Sequence, residues 1–220
     1  MDGSYRQVVP RPGGAERLGT PPWAGALPRW EQLSSLVADL PASSDEQADA
    51  AVLVPVYEGD AGPVVVLIRR SSLLADDPGH VAFPGGRIEA GESARDAALR
   101  EAGEEVGLDV AAIGSLGSLG VFGRRDRRVA AFVALMATRP LLVADRAEVD
   151  ALLEVPVAEL VAADACWEER WGDRSMFFFA RRAAEGATGD LVWGLTARIL
   201  SELVSRLAPA AVPAIGFGNR

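Results

Sequence analysis

From Gly86 to Leu108 the chain reads GRIEAGESARDAALREAGEEVGL, and this stretch restricts most of what the remaining residues can build. Ser93 is a favourable N-cap, and Asp96 three residues on can complete a capping box, so a helix is predicted from Ala94. Ala, Leu, Arg and Glu dominate the residues after it, all strong helix formers. Gly107 stands where a left-handed residue closes a helix, with Leu108 after it for the accompanying apolar contact. Arg95, Leu99, Ala102 and Val106 recur at three- and four-residue spacing, so Leu99, Ala102 and Val106 should pack on a core.

Glu101, Glu104 and Glu105 are also related by three and four residues, which gathers them on another face. Like charges at that spacing destabilise a helix by roughly a few tenths of a kcal/mol per pair. One outcome is a solvated acidic face, as charge runs on exposed helices often are. The other is a set of hard oxygen ligands for a divalent cation, Mg²⁺ or Mn²⁺. The residues upstream favour the second. Pro84-Gly85-Gly86 opens a loop whose backbone a ligand can approach without side chains in the way, and Gly91-Glu92 ends it.

Gly-x5-Glu-x7-Arg-Glu-Ala-x-Glu-Glu-x-Gly-Leu resembles the Nudix box at each fixed position. Ala102 stands where larger aliphatic residues are also common in that family. The resemblance implies an α/β fold, an α/β/α sandwich with a mixed sheet, and hydrolysis of a nucleoside diphosphate linked to another group. It also implies that Glu101, Glu104 and Glu105, with the Gly86 carbonyl, hold the metal. Arg100, four residues after Asp96 and four before Glu104, would orient a carboxylate, and Glu92 would support it.

Composition is compatible with such an enzyme. Of 220 residues 49% are hydrophobic and 24% charged, enough apolar material for one generous domain. A net charge of −9 disfavours a nucleic-acid backbone as partner, while local Arg residues and a metal can still receive an anionic substrate. Cys166 is the only cysteine and His80 the only histidine, which excludes a disulfide framework and any multi-histidine metal site. A lone cysteine and the lack of a basic-then-apolar leader point to the cytoplasm. No apolar run approaches the roughly 18 residues of a membrane span. The expected partner is a small nucleotide; neither nucleic acid nor membrane is expected, and a homodimer is the assembly considered.

Taken in order, residues 1–45 read as an N-terminal extension. Met1 to Pro28 is Pro- and Gly-rich and expected to run extended or disordered unless Trp23 and Trp30 anchor it, and a short amphipathic helix lies within Arg29 to Leu40. Residues 46–207 form the catalytic domain. In it Ala51–Tyr57 and Val64–Ile68 are a predicted hairpin, and Ile113–Phe122 and Val129–Thr138 are strands. Gly123 to Arg128, with four Arg, is either a substrate-facing patch or an exposed hairpin tip. Ala151–Val155 is a strand, Val157–Ala162 a short helix, Met176–Ala180 a buried strand and Asp190–Leu207 a long closing helix. Residues 208–220 form a tail with no assigned role.

Arg69 and Arg70 at a strand end are either solvated or a phosphate clamp, since guanidinium forks suit phosphate oxygens. Val66 to Ser72, followed by Gly79-His80-Val81-Ala82-Phe83-Pro84-Gly85-Gly86, resembles the coenzyme A pyrophosphatase branch of the Nudix family. Glu148-Val149, Val155-Pro156-Val157 and Trp193 to Arg198 are similar to it as well. By that resemblance Arg69, Arg70, Phe83 and Gly85 contact substrate. The sequence departs from the branch at Ala75 and Asp77, where a basic residue and a His are usual, and at His80, where a Gln is common. ADP-ribose, a dinucleoside polyphosphate or a nucleoside triphosphate therefore stays open as substrate, and so does a nucleotide-binding domain without turnover. Family members differ in their general base, and Glu104 and Glu148 are both candidates.

Overall fold

Apolar runs rich in β-branched residues pair to form the central sheet. The computed structural model describes residues 5–43, 47–124, 127–181 and 188–208. Its elements run β1 (Glu16–Gly19), α1 (Trp30–Asp39), β2 (Ala50–Gly59), β3 (Gly62–Arg70), β4 (Val81–Ala82), β5 (Gly85–Arg87) and α2 (Ala94–Val106). They continue through β6 (Ser115–Arg124), β7 (Arg127–Met136), β8 (Val149–Pro156), α3 (Val157–Leu160), β9 (Cys166–Trp171), β10 (Arg174–Arg181), β11 (Asp190–Val192) and α4 (Gly194–Leu207).

Seven strands make the main sheet, in the order β4-β3-β2-β7-β6, with β5 added to β2 and β8 to β3. The β2–β7 pair is parallel and the remaining pairs are antiparallel, so the sheet is mixed. A parallel pair needs a crossover, and α2 lies on it, covering one face. Ala51, Leu53, Val66, Ile68 and Phe132 point to that face, where they meet Ala98, Leu99, Ala102 and Val106 of α2. Val54, Val56, Val65, Leu67 and Val133 alternate to the opposite face, against Leu33 and Val37 of α1 and Ile199, Leu200 and Leu203 of α4. Helices cover both faces, giving the expected sandwich. Strands buried on both sides carry continuous apolar runs instead of alternation, as β3 and β7 do.

A second sheet, ordered β1-β9-β10-β11, completes the molecule. The three consecutive Phe of β10 do not share one core. Phe177 and Phe179 face Trp23, the latter stacked with ring centres 5.4 Å apart, while Phe178 turns the other way and stacks on Trp167 at 5.1 Å.

Two expectations change and one alternative is decided. For the N-terminal stretch, anchoring by Trp23 is the alternative realised: among the described residues Tyr5 bridges Gly189, β1 pairs with β9, and Trp23 is 2% exposed in the main core. Gly85–Arg87 is a strand on β2, not a loop. Asp190–Val192 is a strand on β10, and the last helix starts only at Gly194, because these three residues are needed to close the second sheet. Strand β9 carries two Trp and three charged residues, without the clean alternation by which a strand shows itself in sequence. At the β6–β7 hairpin, Arg125 and Asp126 lie outside the described residues, as does the tail from residue 209. Among the described residues no helix is long and apolar enough to cross a membrane.

Candidate functional site

Helix α2 begins and ends as its sequence predicts. Ser93 Oγ accepts from the Asp96 amide at 3.1 Å and donates to the Asp96 carboxylate at 2.7 Å, so the cap closes side chain to side chain. Gly107 adopts φ 65°, and the Gly107 and Leu108 amides turn back to the Gly103 and Ala102 carbonyls. Between these caps, α2 faces the edge formed by β5.

The three helix carboxylates do not share one wet face. Glu105 is 2% exposed and accepts from the Gly85 amide at 2.8 Å, with Arg70 Nη1 3.8 Å from its other oxygen. Burial pushes its carboxyl up to about 7; the Gly85 amide and Arg70 oppose this, and the charges of Glu101 and Glu148 add to it. Glu101 is raised for the same first reason, burial, with Arg100 opposing and Glu104 and Glu148 adding. Glu104 is largely exposed. The cluster is graded from core to solvent because a helix turning about 100° per residue cannot present adjacent Glu104 and Glu105 to the same surroundings.

Arg100 is the hub. Its Nε and Nη2 reach the two oxygens of Glu92 at 2.9 and 3.1 Å, its Nη1 reaches Glu101 at 3.0 Å and Glu104 at 2.9 Å, and Nη2 also donates to the Arg87 carbonyl at 3.1 Å. Glu92 accepts in addition from the Glu89 amide, and these bonds, Arg100 foremost, hold its carboxyl below the usual range. One guanidinium thus binds the loop, the strand end and two helix carboxylates, a use of all its donors that a lysine could not reproduce.

Gly85 and Gly86 are required by contact. Gly85 has φ 153°, and a Cβ on it would lie 2.6 Å from Val52 Cα and nearer still to the Ala51 carbonyl oxygen. A Cβ on Gly86 would fall 2.7 Å from Glu101 Oε2 and nearer to Oε1. The space a side chain at 86 would take is the space the Glu101 carboxylate uses.

The upstream residues separate. Arg69, expected at substrate, is instead committed to Asp190, with Nε and Nη2 at 3.0 and 2.9 Å from its two oxygens. Successive side chains of a strand point to opposite sides, so only Arg70 turns to the carboxylates. Phe83, also expected at substrate, is 2% exposed and belongs to the main core. The Gly85 amide is taken by Glu105. Glu148 is exposed on the turn before β8, where its carbonyl accepts from Ser71, and its charge acts on both Glu101 and Glu105. His80 lies 5.3 Å from Trp193, ring centre to ring centre. Sequence reasoning misses Asp190, which reads as helical, and Gln7, which no periodicity marks.

Among the described residues no group of three or more His, Cys, Asp or Glu side chains already surrounds a metal position, since Arg100 draws Glu101 and Glu104 to itself. The donor chemistry nevertheless fits a hard divalent cation. Glu101 lies against the Gly86 backbone, and both Glu101 and Glu105 carry raised carboxyls whose repulsion a cation would offset.

Comparison with known proteins bears on the family and the fold. The family model described as NUDIX domain matches residues 47–178. The chain is 34% identical over 144 residues to Nudix hydrolase 3 of Caenorhabditis elegans, covering 60% of each protein. It is 33% identical over 132 residues to the peroxisomal coenzyme A diphosphatase ndx-8 of the same organism, covering 57% of this chain and 56% of that protein. It therefore spans little more than half the length of these relatives. A solved MutT/nudix family protein from Enterococcus faecalis superposes with TM-score 0.52 at 18% identity, over 81% of this chain and 69% of that one, a likeness of fold.

Proposed function

The chain belongs to the Nudix family of hydrolases, and we propose that it is a metal-dependent pyrophosphohydrolase acting on CoA or a CoA derivative. The products would be adenosine 3′,5′-bisphosphate and 4′-phosphopantetheine. The observation that carries the reaction class is the buried Glu105, bonded to the Gly85 amide beside Glu101 and facing Arg70. The substrate is supported by the stretch from Val66 to Gly86 and by the likeness to the coenzyme A diphosphatase.

Nudix hydrolases generally use divalent metal ions, and Glu101, Glu104, Glu105 and the Gly86 carbonyl would hold one here, Mg²⁺ or Mn²⁺. Such an ion, when bound, neutralises phosphate oxygens and lowers the pKa of water. The chain's own residues supply the rest. Arg100 steers Glu101 and Glu104, and Glu92 holds Arg100 in place. Arg70 neutralises a phosphate oxygen and helps hold the anhydride in line. Water oxygen attacks one phosphorus, the bridging P–O bond breaks, and the water proton passes to a carboxylate. Glu104 and Glu148 are the two acceptors proposed, both being exposed enough to meet water.

The test is a panel of CoA, acyl-CoA, ADP-ribose, dinucleoside polyphosphates and nucleoside triphosphates with Mg²⁺ or Mn²⁺, products separated by chromatography. Preferred cleavage of CoA or acyl-CoA supports the reading. Turnover of ADP-ribose or a triphosphate with neither CoA cleaved removes the substrate and leaves the reaction class.

A further inference from the structure

Gln7 is 7% exposed, and its side chain spans two elements that flank Arg70. Its Nε2 donates to the Gly79 carbonyl at 3.0 Å and to Asp190 Oδ1 at 3.4 Å, and its Oε1 accepts from the Leu191 amide at 2.7 Å. Gly79 in turn donates to the Arg70 carbonyl at 3.2 Å, and the Arg70 amide donates to the His80 carbonyl at 2.9 Å. Asp190, 1% exposed, receives Arg69 through two bonds and Arg181 Nη1 at 3.2 Å. Arg70 is thereby fixed on its backbone by the Gly79–His80 turn and through its neighbour Arg69 by Asp190. Its own guanidinium stands 3.8 Å from Glu105. Gln7, Arg181 and Asp190 all lie outside residues 47–178, so this clamp comes from outside the matched domain.

We propose that Gln7 is a positioning residue of the active site: it joins β11 to the Gly79 turn and so holds Arg70 beside Glu105, ready for substrate phosphate. The phosphate part rests on the pyrophosphohydrolase reading; the clamp itself does not. The N-terminal segment is then a working part of the site.

Hydrogen exchange needs no substrate and tests the clamp. In Gln7→Ala the Arg70 and Gly79 amides should exchange about tenfold faster, the worth of roughly one net hydrogen bond, while the β7 amides stay unchanged. Unchanged exchange at Arg70 and Gly79 overturns the proposal even if no substrate is known. With a cleaved substrate, Gln7→Ala should raise KM roughly five- to twentyfold and alter kcat by less than about twofold. In an Arg70→Ala background the same change should add less than about twofold, because its route to substrate is gone. Gln7→Met keeps the volume without the bonds and should behave like Gln7→Ala. Restored exchange and KM in Gln7→Met would mean packing alone matters, and an undiminished KM effect without Arg70 would mean the route is wrong; either result overturns it. Lack of turnover by the wild-type protein would count against the activity alone and leave the exchange result to decide the clamp.

Discussion

Alanine at Gly85 and alanine at Gly86 should fail in opposite ways, though the residues are adjacent and the added atom is the same. At Gly85 the new Cβ meets Val52 Cα at 2.6 Å and, closer still, the Ala51 carbonyl oxygen, both main-chain atoms of the central strand β2. Neither can move without shifting β2 against β7. A φ of 153° adds strain that an L residue resists. Together these cost about 3 kcal/mol or more, of which the dihedral supplies roughly 1–3. For a chain of this length each kcal/mol lowers Tm by roughly 2–4 °C, so a loss of about 6–12 °C is expected. At Gly86 the nearest atoms all belong to the Glu101 carboxylate, the far end of a flexible side chain. That carboxylate can swing aside with a stability change within about 1 kcal/mol. Its oxygens then leave the position from which a metal would be held, so kcat should fall about a hundredfold or more. Differential scanning calorimetry and Mn²⁺ titration by electron paramagnetic resonance separate the two losses. A Gly85→Ala protein melting within about 2 °C of wild type would refute the packing argument. A Gly86→Ala protein with wild-type Mn²⁺ affinity would refute the role given to Glu101.

Glu104→Gln and Glu105→Gln should each lower kcat about a hundredfold or more with folding intact by circular dichroism, and a chelator should abolish turnover. Glu148→Gln should lower kcat roughly ten- to a thousandfold and remove the acidic limb of the pH–rate profile if Glu148 is the base; an unchanged profile leaves Glu104. Arg70→Ala should raise KM roughly ten- to a hundredfold, a charge-assisted bond being worth about 1.5–3 kcal/mol, while Arg69→Ala should chiefly lower Tm by stranding buried Asp190. Although burial alone would raise it, Arg69, Gln7 and Arg181 hold the Asp190 carboxyl below the usual range. Its stabilisation is therefore present above the unfolded pKa of about 3.9 and lost as pH falls through the folded value, so the Tm advantage over Asp190→Asn should shrink in acid.

Much of the fold is legible in the sequence because its strongest signals are local. Ser93 and Gly107 set the bounds of α2 through caps that depend on a few neighbouring residues. The hairpin of β2 and β3 comes from two apolar runs around Gly59 to Gly62. What local pattern does not carry is pairing at a distance. Gly85–Arg87 reads as loop because glycine lacks strand propensity, yet its register on β2 is fixed by the Ala51 and Val52 backbone. Asp190–Val192 runs straight into a helical pattern, and only β10, whose edge these residues complete, makes them a strand. Tertiary context overrides propensity at both places.

The site divides along the same line. The spacing of Glu101, Glu104 and Glu105 is readable, but their differing burial is not, since it depends on where β5 lies against α2. Arg69 and Arg70 look equivalent in sequence, and the alternation of a strand makes them opposites: one bound to Asp190, the other turned to Glu105. Which arginine faces which partner depends on the position of Asp190, and that in turn on a second sheet whose strand β9 leaves no periodic trace. Gln7 is the extreme case. A single polar residue in a Pro- and Gly-rich segment carries no periodic signal, and its partners lie 72 and 183 residues away. Its three bonds become visible only when β11 and the Gly79 turn are side by side. Burying a carboxamide is costly unless its polar atoms are paired, and here they are. That pairing ties the segment around Gln7 to the strand end carrying Arg70, so the N-terminal segment and the carboxylate cluster should be perturbed together, not independently.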